Sequence, residues 1–144
     1  MTFVTDVLKR KGRDVWTVSS DSTVYEALQE MADKNVGALM VVDGDKLVGV
    51  FSERDYARKI ILHGKASKDT LVKEIMSSAV FWVEPDQTIG RCMELMTDKR
   101  VRHLPVLEEG RLIGVISIGD VVKVIISEQE FAIQQLEQYI IGQR

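Results

Sequence analysis

The chain has 144 residues, 45% of them hydrophobic and 28% charged, a composition typical of a folded globular protein and not of a disordered or fibrous one. Its 19 Lys and Arg residues against 22 Asp and Glu residues give a net charge of −3, which disfavours nucleic acid as a partner. No apolar run approaches the roughly 20 residues that a membrane-spanning helix needs, which argues against a membrane protein. With one cysteine, Cys92, and no export signal, the sequence predicts a cytoplasmic protein without an internal disulfide.

A duplication appears when the chain is slid against itself by 65 residues. Residues 18–61 align with 83–126 without a gap and match at 16 of 44 positions. Unrelated sequences would share about three, since a chance match has a probability of roughly 7%. A shorter similarity pairs 4–8 with 72–76 at an offset of 68, so the first copy holds three extra residues, within the basic segment 9–15. The chain therefore consists of two copies of one unit.

The elements of the first copy follow from the spacing of its apolar residues. A short strand is predicted at 15–18, followed by a helix that begins at Val24 and is capped by Thr23. Two apolar runs at 38–42 and 47–51, separated by a polar turn, predict a β-hairpin. A second helix is expected to begin near Asp55.

The second copy repeats this order. Its predicted elements are a strand at 81–83, a helix from Ile89, strands at 104–107 and 112–116, and a helix from about Asp120. We predict an α/β (α+β) fold of two β-α-β-β-α repeats, at 8–66 and 75–131, with a C-terminal helical tail at 132–144. Because a unit of about 60 residues is marginally stable alone, the repeats are expected to pack with pseudo-two-fold symmetry, leaving clefts between them. The apolar face of the tail is expected to contact its own repeats, a second subunit or a partner.

Each copy carries the same short pattern where its second hairpin strand ends. It reads glycine, two apolar residues, serine, two variable residues and aspartate, at 49–55 and at 114–120; we call it the Ser–Asp motif. A helix that opens at a strand end favours anions, a serine hydroxyl can donate to a phosphate, and an aspartate can accept from both ribose hydroxyls. The motif therefore suits a nucleotide. The simpler interpretation is that serine and aspartate only cap the following helix.

The two motifs, together with the segments 36–43 and 101–108, resemble the CBS domain, in tandem as a CBS pair or Bateman module. The resemblance covers roughly residues 7–127. It implies a regulatory module without catalysis that binds adenosine compounds such as AMP, ADP, ATP, NAD or S-adenosylmethionine. The sequence holds no P-loop, dinucleotide-binding, zinc-protease or serine-hydrolase motif, and it predicts neither an enzyme nor a metal site.

The resemblance implies two clefts, each combining the Ser–Asp motif of one copy with the strand entry of the other. The first site would comprise Ser117, Asp120, Lys11, Trp16, Thr17, Val18, Val36, Gly37 and Ala38. The second site would comprise Ser52, Arg54, Asp55, Phe81, Trp82, Val83, Arg102, His103, Leu104 and Pro105. Because the second motif lacks the cation that Arg54 supplies in the first, Lys11 of the basic loop at 9–15 is expected to provide that charge.

The leading hypothesis is a stand-alone sensor of adenosine nucleotides in which binding changes the packing of the two repeats and thereby a homodimer or effector-protein interface. Since 144 residues leave no room for an effector domain, the expectation is that the module either acts through another protein or buffers or reports ligand levels. The alternative is a structural dimerisation module whose clefts are vestigial. A DNA-binding regulator is disfavoured by the net charge and by the absence of a recognition-helix motif.

Overall fold

The computed structural model describes residues 1–142 as two repeats of helices and short strands. The first part of the chain holds helix α1 (Val4–Lys11), strand β1 (Thr17–Ser19), helix α2 (Val24–Lys34), strands β2 (Ala38–Asp43) and β3 (Lys46–Ser52), and the single turn α3 (Glu53–Asp55), which continues as a π-helix (Tyr56–Ile61). The second part holds helices α4 (Val72–Ile75) and α5 (Ile89–Lys99), strands β4 (His103–Glu108) and β5 (Arg111–Ser117), and helix α6 (Ile118–Gly142). The mixed helix and strand fold predicted from the sequence is confirmed.

Each repeat is built on an antiparallel hairpin, as the apolar runs predict. In the first repeat (residues 17–61), β2 pairs with β3 and also with β1, which runs parallel to it. In the second repeat (residues 83–126), β4 pairs with β5 in the equivalent register. The strand predicted at 81–83, however, is reduced to one parallel bridge between Val83 and Val106.

Pro105 accounts for this difference between the repeats. In the first repeat, the backbone N–H of Met40 donates to the carbonyl of Trp16 at 3.1 Å. Pro105 stands 65 residues later in the position equivalent to Met40, and proline has no N–H to donate to Phe81. The parallel ladder in the second repeat therefore cannot extend back to Phe81.

Details of the backbone and of aromatic packing repeat with the same offset of 65 residues. Helices α2 and α5 both end at a residue in the left-handed conformation, Asn35 and Arg100, each with φ of 54°. The Lys34 ammonium lies 4.6 Å from the ring centre of Trp16, and that of Lys99 lies 5.3 Å from the ring centre of Phe81. The duplication in sequence is therefore also a duplication in local structure.

The two repeats exchange the short helices that precede them in the chain. Val4, Val7 and Leu8 of α1 are buried in the core of the second repeat. Val72 and Ile75 of α4 are buried in the core of the first repeat. Each core is therefore completed by a helix that the sequence similarity associates with the other repeat, so that two marginal units stabilise one another.

Helix α6 continues without a break from the second repeat to Gly142. Val121 and Val124 are buried in the core of that repeat, whereas the side chains from Ser127 to Gly142 are all exposed. The predicted tail at 132–144 is helical through Gly142, and its last two residues, Gln143 and Arg144, lie outside the described residues. Within residues 1–142, no helix combines the length and the apolar character that crossing a membrane requires.

Candidate functional site

Each Ser–Asp motif caps the helix that follows it. In the second repeat, the Ser117 backbone N–H donates to Asp120 Oδ2 at 2.8 Å, and the Asp120 N–H donates to Ser117 Oγ at 3.2 Å. Ser52 and Asp55 make the same reciprocal pair at 3.0 and 3.2 Å. The capping role that the sequence left open as the simpler interpretation is therefore present at both motifs. Capping also holds both carboxylates in fixed positions at the ends of β3 and β5.

Lys11 joins the second motif to the start of the chain. Its ammonium donates to Asp120 Oδ2 at 2.7 Å and to the carbonyl of Val115 at 2.9 Å. The predicted basic loop is partly wrong, because Lys9 to Lys11 form the last turn of α1, where cations stabilise the carboxyl end of a helix. The docking of α1 on the second repeat, and not a flexible loop, brings Lys11 to Asp120.

Asp120 is an ionised carboxylate, and within residues 1–142 only one of its two oxygens accepts hydrogen bonds. Burial by itself raises the pKa of Asp120, but the hydrogen bonds from Lys11 and from the Ser117 backbone more than offset burial, and the net pKa lies below its ordinary value. All of these bonds reach Oδ2. Within residues 1–142, Oδ1 accepts no hydrogen bond, and it remains available to a hydroxyl donor.

Asp55 differs from Asp120 although the two motifs match in sequence. Its Oδ2 accepts from Ser52, and its Oδ1 accepts from the Ser77 hydroxyl at 3.3 Å and lies 3.5 Å from the Lys59 ammonium. Both oxygens of Asp55 are therefore engaged by the protein itself. The neighbouring Arg54 donates one guanidinium N–H to the carbonyl of Arg100, at 3.3 Å.

His103 lies beside the Lys11–Asp120 pair. It is paired with Ser117 in the β4–β5 ladder. Burial lowers the pKa of His103, and the positive charges of Lys11 and Arg102 lower it further against the opposing effects of Asp120 and Glu53. The resemblance assigns His103 and Arg102 to the second site, and the charges around His103 also include Lys11 and Asp120 of the predicted first site.

The strand entries lie next to the motif of their own repeat. Ala38 pairs with Ser52, and the carbonyl of Gly37 accepts from the Glu53 N–H at 3.1 Å. Equivalently, the carbonyl of Arg102 accepts from the Ile118 N–H at 2.9 Å. These backbone hydrogen bonds run within each repeat, whereas the bond from Arg54 to the carbonyl of Arg100 joins the two repeats. The predicted combinations of motif and strand entry from different repeats stay predictions.

The other predicted site residues fall into three groups by burial. Trp16, Thr17 and Trp82 are exposed; Val18, Val36 and Phe81 are half-buried; Val83, Leu104 and Pro105 are buried. The side chains of Val83 and Leu104 belong to the core of the second repeat. These two residues could face a ligand only through their backbone groups.

Two open cavities in the described part of the chain are lined by none of the predicted site residues. A cavity of about 700 Å³ is bordered by Tyr25, Leu28, Gln29, Ala32, Tyr56 and residues 66–69. A second, of about 390 Å³, is bordered by Met1, Thr2, Arg10, Val124, Ser127, Glu128 and Phe131. No sequence motif indicates either cavity, because each lining combines segments that are separated in the chain and share no pattern. Within the described part of the chain, no cluster of three His, Cys, Asp or Glu side chains could hold a metal ion.

The half-buried position of His103 predicts a pH dependence of stability. Since its pKa is lower in the folded state than the ordinary value near 6.5, the unfolded chain binds a proton more readily, and stability falls as the pH drops below about 6.5. We expect the melting temperature to be lower at pH 5.5 than at pH 7.5. In His103→Gln we expect a smaller difference between the two melting temperatures. Thermal melts at both pH values test this, with the exposed His63→Gln as control. An unchanged slope in His103→Gln would contradict the assignment.

Comparison with known proteins agrees with the repeat structure. The family model of the CBS domain matches residues 4–62 and 72–127. Over 98% of its length the chain is 42% identical to the CBS domain-containing protein CBSX3, mitochondrial, of Arabidopsis thaliana, and it covers 73% of that protein. A protein with CBS domains from Burkholderia ambifaria MC40-6 has a similar structure, with a TM-score of 0.85 and 53% identity over 89% of this chain and 96% of that one.

A further solved structure holds adenosine compounds. The CBS domain pair of protein MJ0100, in complex with 5′-methylthioadenosine and S-adenosyl-L-methionine, has a TM-score of 0.77 and 25% identity, over 86% of this chain and 99% of that one. The family model matches both repeats, and the relative from Arabidopsis thaliana matches nearly the whole chain. The chain belongs to the CBS domain family and contains two CBS domains in tandem.

Proposed function

We propose that this CBS pair is a regulatory module that binds an adenosine nucleotide beside Asp120. The observation that carries the proposal is the arrangement of Lys11, Ser117 and Asp120 at the start of α6, where an ionised carboxylate keeps Oδ1 free next to a cation. A carboxylate oxygen can accept from ribose hydroxyls, and a helix N-terminus with a nearby lysine favours a phosphate. The adenosine complex of MJ0100 supports this ligand class.

The charges at this site favour a ligand that carries phosphate. Lys11 contributes a positive charge whose side chain is 35% exposed and can turn toward an anion, and His103 borders the same region. We therefore propose AMP, ADP, ATP or NAD as the ligand before S-adenosylmethionine, whose sulfonium is cationic. The base would lie against the strand entries at 16–18 and 36–38.

The second site, around Asp55, is proposed to bind more weakly or to stay empty. Both oxygens of Asp55 already accept from or pair with Ser52, Ser77 and Lys59, and Arg54 is engaged by Arg100. A ligand there would have to displace bonds that the protein makes to itself. The two clefts are therefore not equivalent, although their motifs are.

The output of binding is proposed to be a change in assembly and not a reaction. A nucleotide bound between the repeats would alter their relative packing, and with it the surface shown to a second subunit or to an effector protein. We propose a reducing, cytoplasmic setting, since the single cysteine is buried and burial raises the pKa of its thiol to about 11.

A second candidate function is a structural dimerisation module with vestigial clefts. The observation in its favour is that Ser117, Asp120, Ser52 and Asp55 already have complete roles as helix caps. It is supported further by the position of the two described cavities, whose linings include none of the predicted site residues.

Calorimetry and thermal shift with AMP, ADP, ATP, NAD and S-adenosylmethionine separate these two functions. A sensor is stabilised as ligand exceeds its Kd, whereas a structural module is not. Asp120→Asn keeps the shape of the side chain but removes its charge, and we expect it to weaken binding about tenfold or more. Asp21→Asn, at a carboxylate that is 74% exposed on the first repeat, is the matched control and should bind normally.

Two outcomes would contradict the proposed function. One is the absence of a stability change with all five compounds. The other is an Asp120→Asn variant that binds with the affinity of the wild type, which would show that the carboxylate only caps α6.

A further inference from the structure

Helix α6 extends well past the repeat that anchors it. Its buried residues, Val121 and Val124, belong to the first two turns, and all side chains of residues 127–142 are exposed. We call residues 127–142 the α6 extension. At 1.5 Å per residue its 16 residues reach about 24 Å beyond the second repeat. At the base of the extension the Thr2 hydroxyl donates to Glu128 Oε1 at 2.8 Å. An isolated helix of this length is marginal in water, so the part beyond this contact would fray if nothing covered it.

The extension carries apolar side chains in a seven-residue repeat that begins on the second repeat itself. The positions are Val122, Gln129 and Leu136; Ile125, Ala132 and Tyr139; and Ile126, Ile133 and Ile140. They lie on one side of the helix, and we call them the apolar stripe. Between 47% and 64% of the surface of Val122, Ile126, Ile133, Leu136, Tyr139 and Ile140 is exposed. A stripe of this spacing is typical of helices that pack lengthwise against another helix.

The stripe is large enough to hold two copies of the chain together. Each of its exposed large side chains offers on the order of 100 Å² of apolar surface, so the stripe offers about 600 Å² per copy. That is at the upper end of the apolar patches of monomeric proteins and close to the roughly 800 Å² per partner of a standard interface. The same stripe on a second copy of the chain could therefore cover it without any other partner.

The charges beside the stripe favour an antiparallel pair. Lys123 flanks its amino end, while Glu130 and Glu137 flank its carboxyl end on the same side. In an antiparallel pair that side of each helix faces itself, which places Lys123 of one copy near Glu137 of the other, twice over. In a parallel pair, Glu130 of one helix would lie near Glu128 of the other, and the two carboxylates would repel each other. A parallel pair would also place both folded repeats at the same end of the helices.

Gln129 fits the same arrangement. It is the one polar residue in the stripe and lies close to its midpoint. In an antiparallel pair the two Gln129 side chains lie near each other, and each amide can both donate and accept a hydrogen bond. A single polar residue in an apolar seam sets the register of paired helices.

We propose that the apolar stripe is covered by the same stripe of a second copy, with the two α6 helices packed antiparallel. This inference deepens the proposed function by naming the surface through which the module assembles. The pairing itself uses none of the side chains proposed to bind the nucleotide, namely Lys11, Ser117 and Asp120.

Sedimentation equilibrium or light scattering of the full chain tests the pairing. We expect a dimer in the wild type and a monomer in Ile133→Glu, since a buried carboxylate in the seam would be unpaired. The matched control is Phe131→Glu, which introduces the same charge two residues away at a side chain that is 64% exposed and points away from the stripe. A monomeric wild type, or a dimer that Phe131→Glu dissociates and Ile133→Glu does not, would overturn the proposal.

Cysteine cross-linking tests the direction of the helices. The native Cys92 is buried, and burial raises the pKa of its thiol to about 11, so it does not compete. Ala132→Cys lies near the midpoint and should form a disulfide with itself, whereas Tyr139→Cys should not, being about 24 Å from its copy along an antiparallel pair. Efficient cross-linking of Tyr139→Cys would mean a parallel pair and would overturn the proposed direction.

The nucleotide measurements keep this result separate from the proposed function. If the pairing is right, monomeric Ile133→Glu still binds a nucleotide at Asp120 when the wild type does. If the wild type binds no nucleotide but Ile133→Glu still dissociates the dimer, the proposed sensing fails while the pairing stands.

Discussion

Leu8→Ala is expected to lower the free energy of unfolding by about 2–4 kcal/mol and to open the second repeat before the first. Leu8 is 1% exposed and lies in the core formed by β4, β5, α5 and α6, about 80 or more residues away in sequence. Removing its side chain leaves a cavity in that core, although Leu8 belongs to the helix that precedes the first repeat. Urea denaturation gives the stability, and hydrogen exchange of the β4–β5 amides against those of β2–β3 shows which repeat opens.

The reciprocal variant makes this experiment specific. Ile75 of α4 is equally buried but lies in the core of the first repeat, so Ile75→Ala should accelerate exchange in β2–β3 first. Lys9→Ala, at an exposed position one residue after Leu8, should change stability little. If Leu8→Ala accelerated exchange equally in both hairpins, the exchanged helices would not define separate cores.

Gly114→Ala is expected to destabilise the protein by about 1–3 kcal/mol, although the substitution adds only one methyl group. A Cβ at Gly114 would lie 2.7 Å from Cδ2 and 3.0 Å from Cδ1 of Leu8, closer than carbon atoms can approach. The glycine of the second Ser–Asp motif therefore makes room for α1. Either Leu8 leaves its position or the helix moves, and both loosen the contact that carries Lys11 to Asp120.

Gly37→Ala is the matched control, because a Cβ there meets no atom within 4 Å. Denaturation curves of both variants and of the double variant Leu8→Ala with Gly114→Ala complete the test. With the leucine side chain gone, the added methyl group has space, so the two substitutions should cost less together than the sum of their separate effects. Strict additivity would show that Gly114 and Leu8 do not share one site.

Much of the fold was already evident in local patterns. The duplication at 65 residues, the hairpins and the long helices follow from hydrophobic period and turn chemistry, which act over a few residues. The boundary of β1 shifted by about two residues, to Thr17–Ser19, and the strand expected at 81–83 shrank to one bridge. Pro105 causes this loss, because it has no N–H to donate to the carbonyl of Phe81. That consequence could be recognised only once the fold showed that residue 105 lies opposite Phe81.

The candidate site was predictable in part for the same reason. The two Ser–Asp motifs and the capping alternative were visible because a motif is local. Lys11 was named because the family resemblance places the basic segment beside the second motif, which lacks a cation of its own. That Asp120 keeps a free oxygen while Asp55 does not could not be read from matching motifs, because Ser77 and Lys59 reach Asp55 through the fold.

The sequence by itself determined that two copies of one unit exist and that each forms a hairpin with flanking helices. It also indicated that the two copies, each marginally stable alone, pack on one another. Only the tertiary structure decided that α1 completes the second repeat and α4 the first. The physical reason is that the apolar faces of these short helices specify burial but not a partner. Which core receives them depends on close fits such as Leu8 against Gly114 and Met76 against Gly49, and such fits exist only once both repeats are folded and in contact.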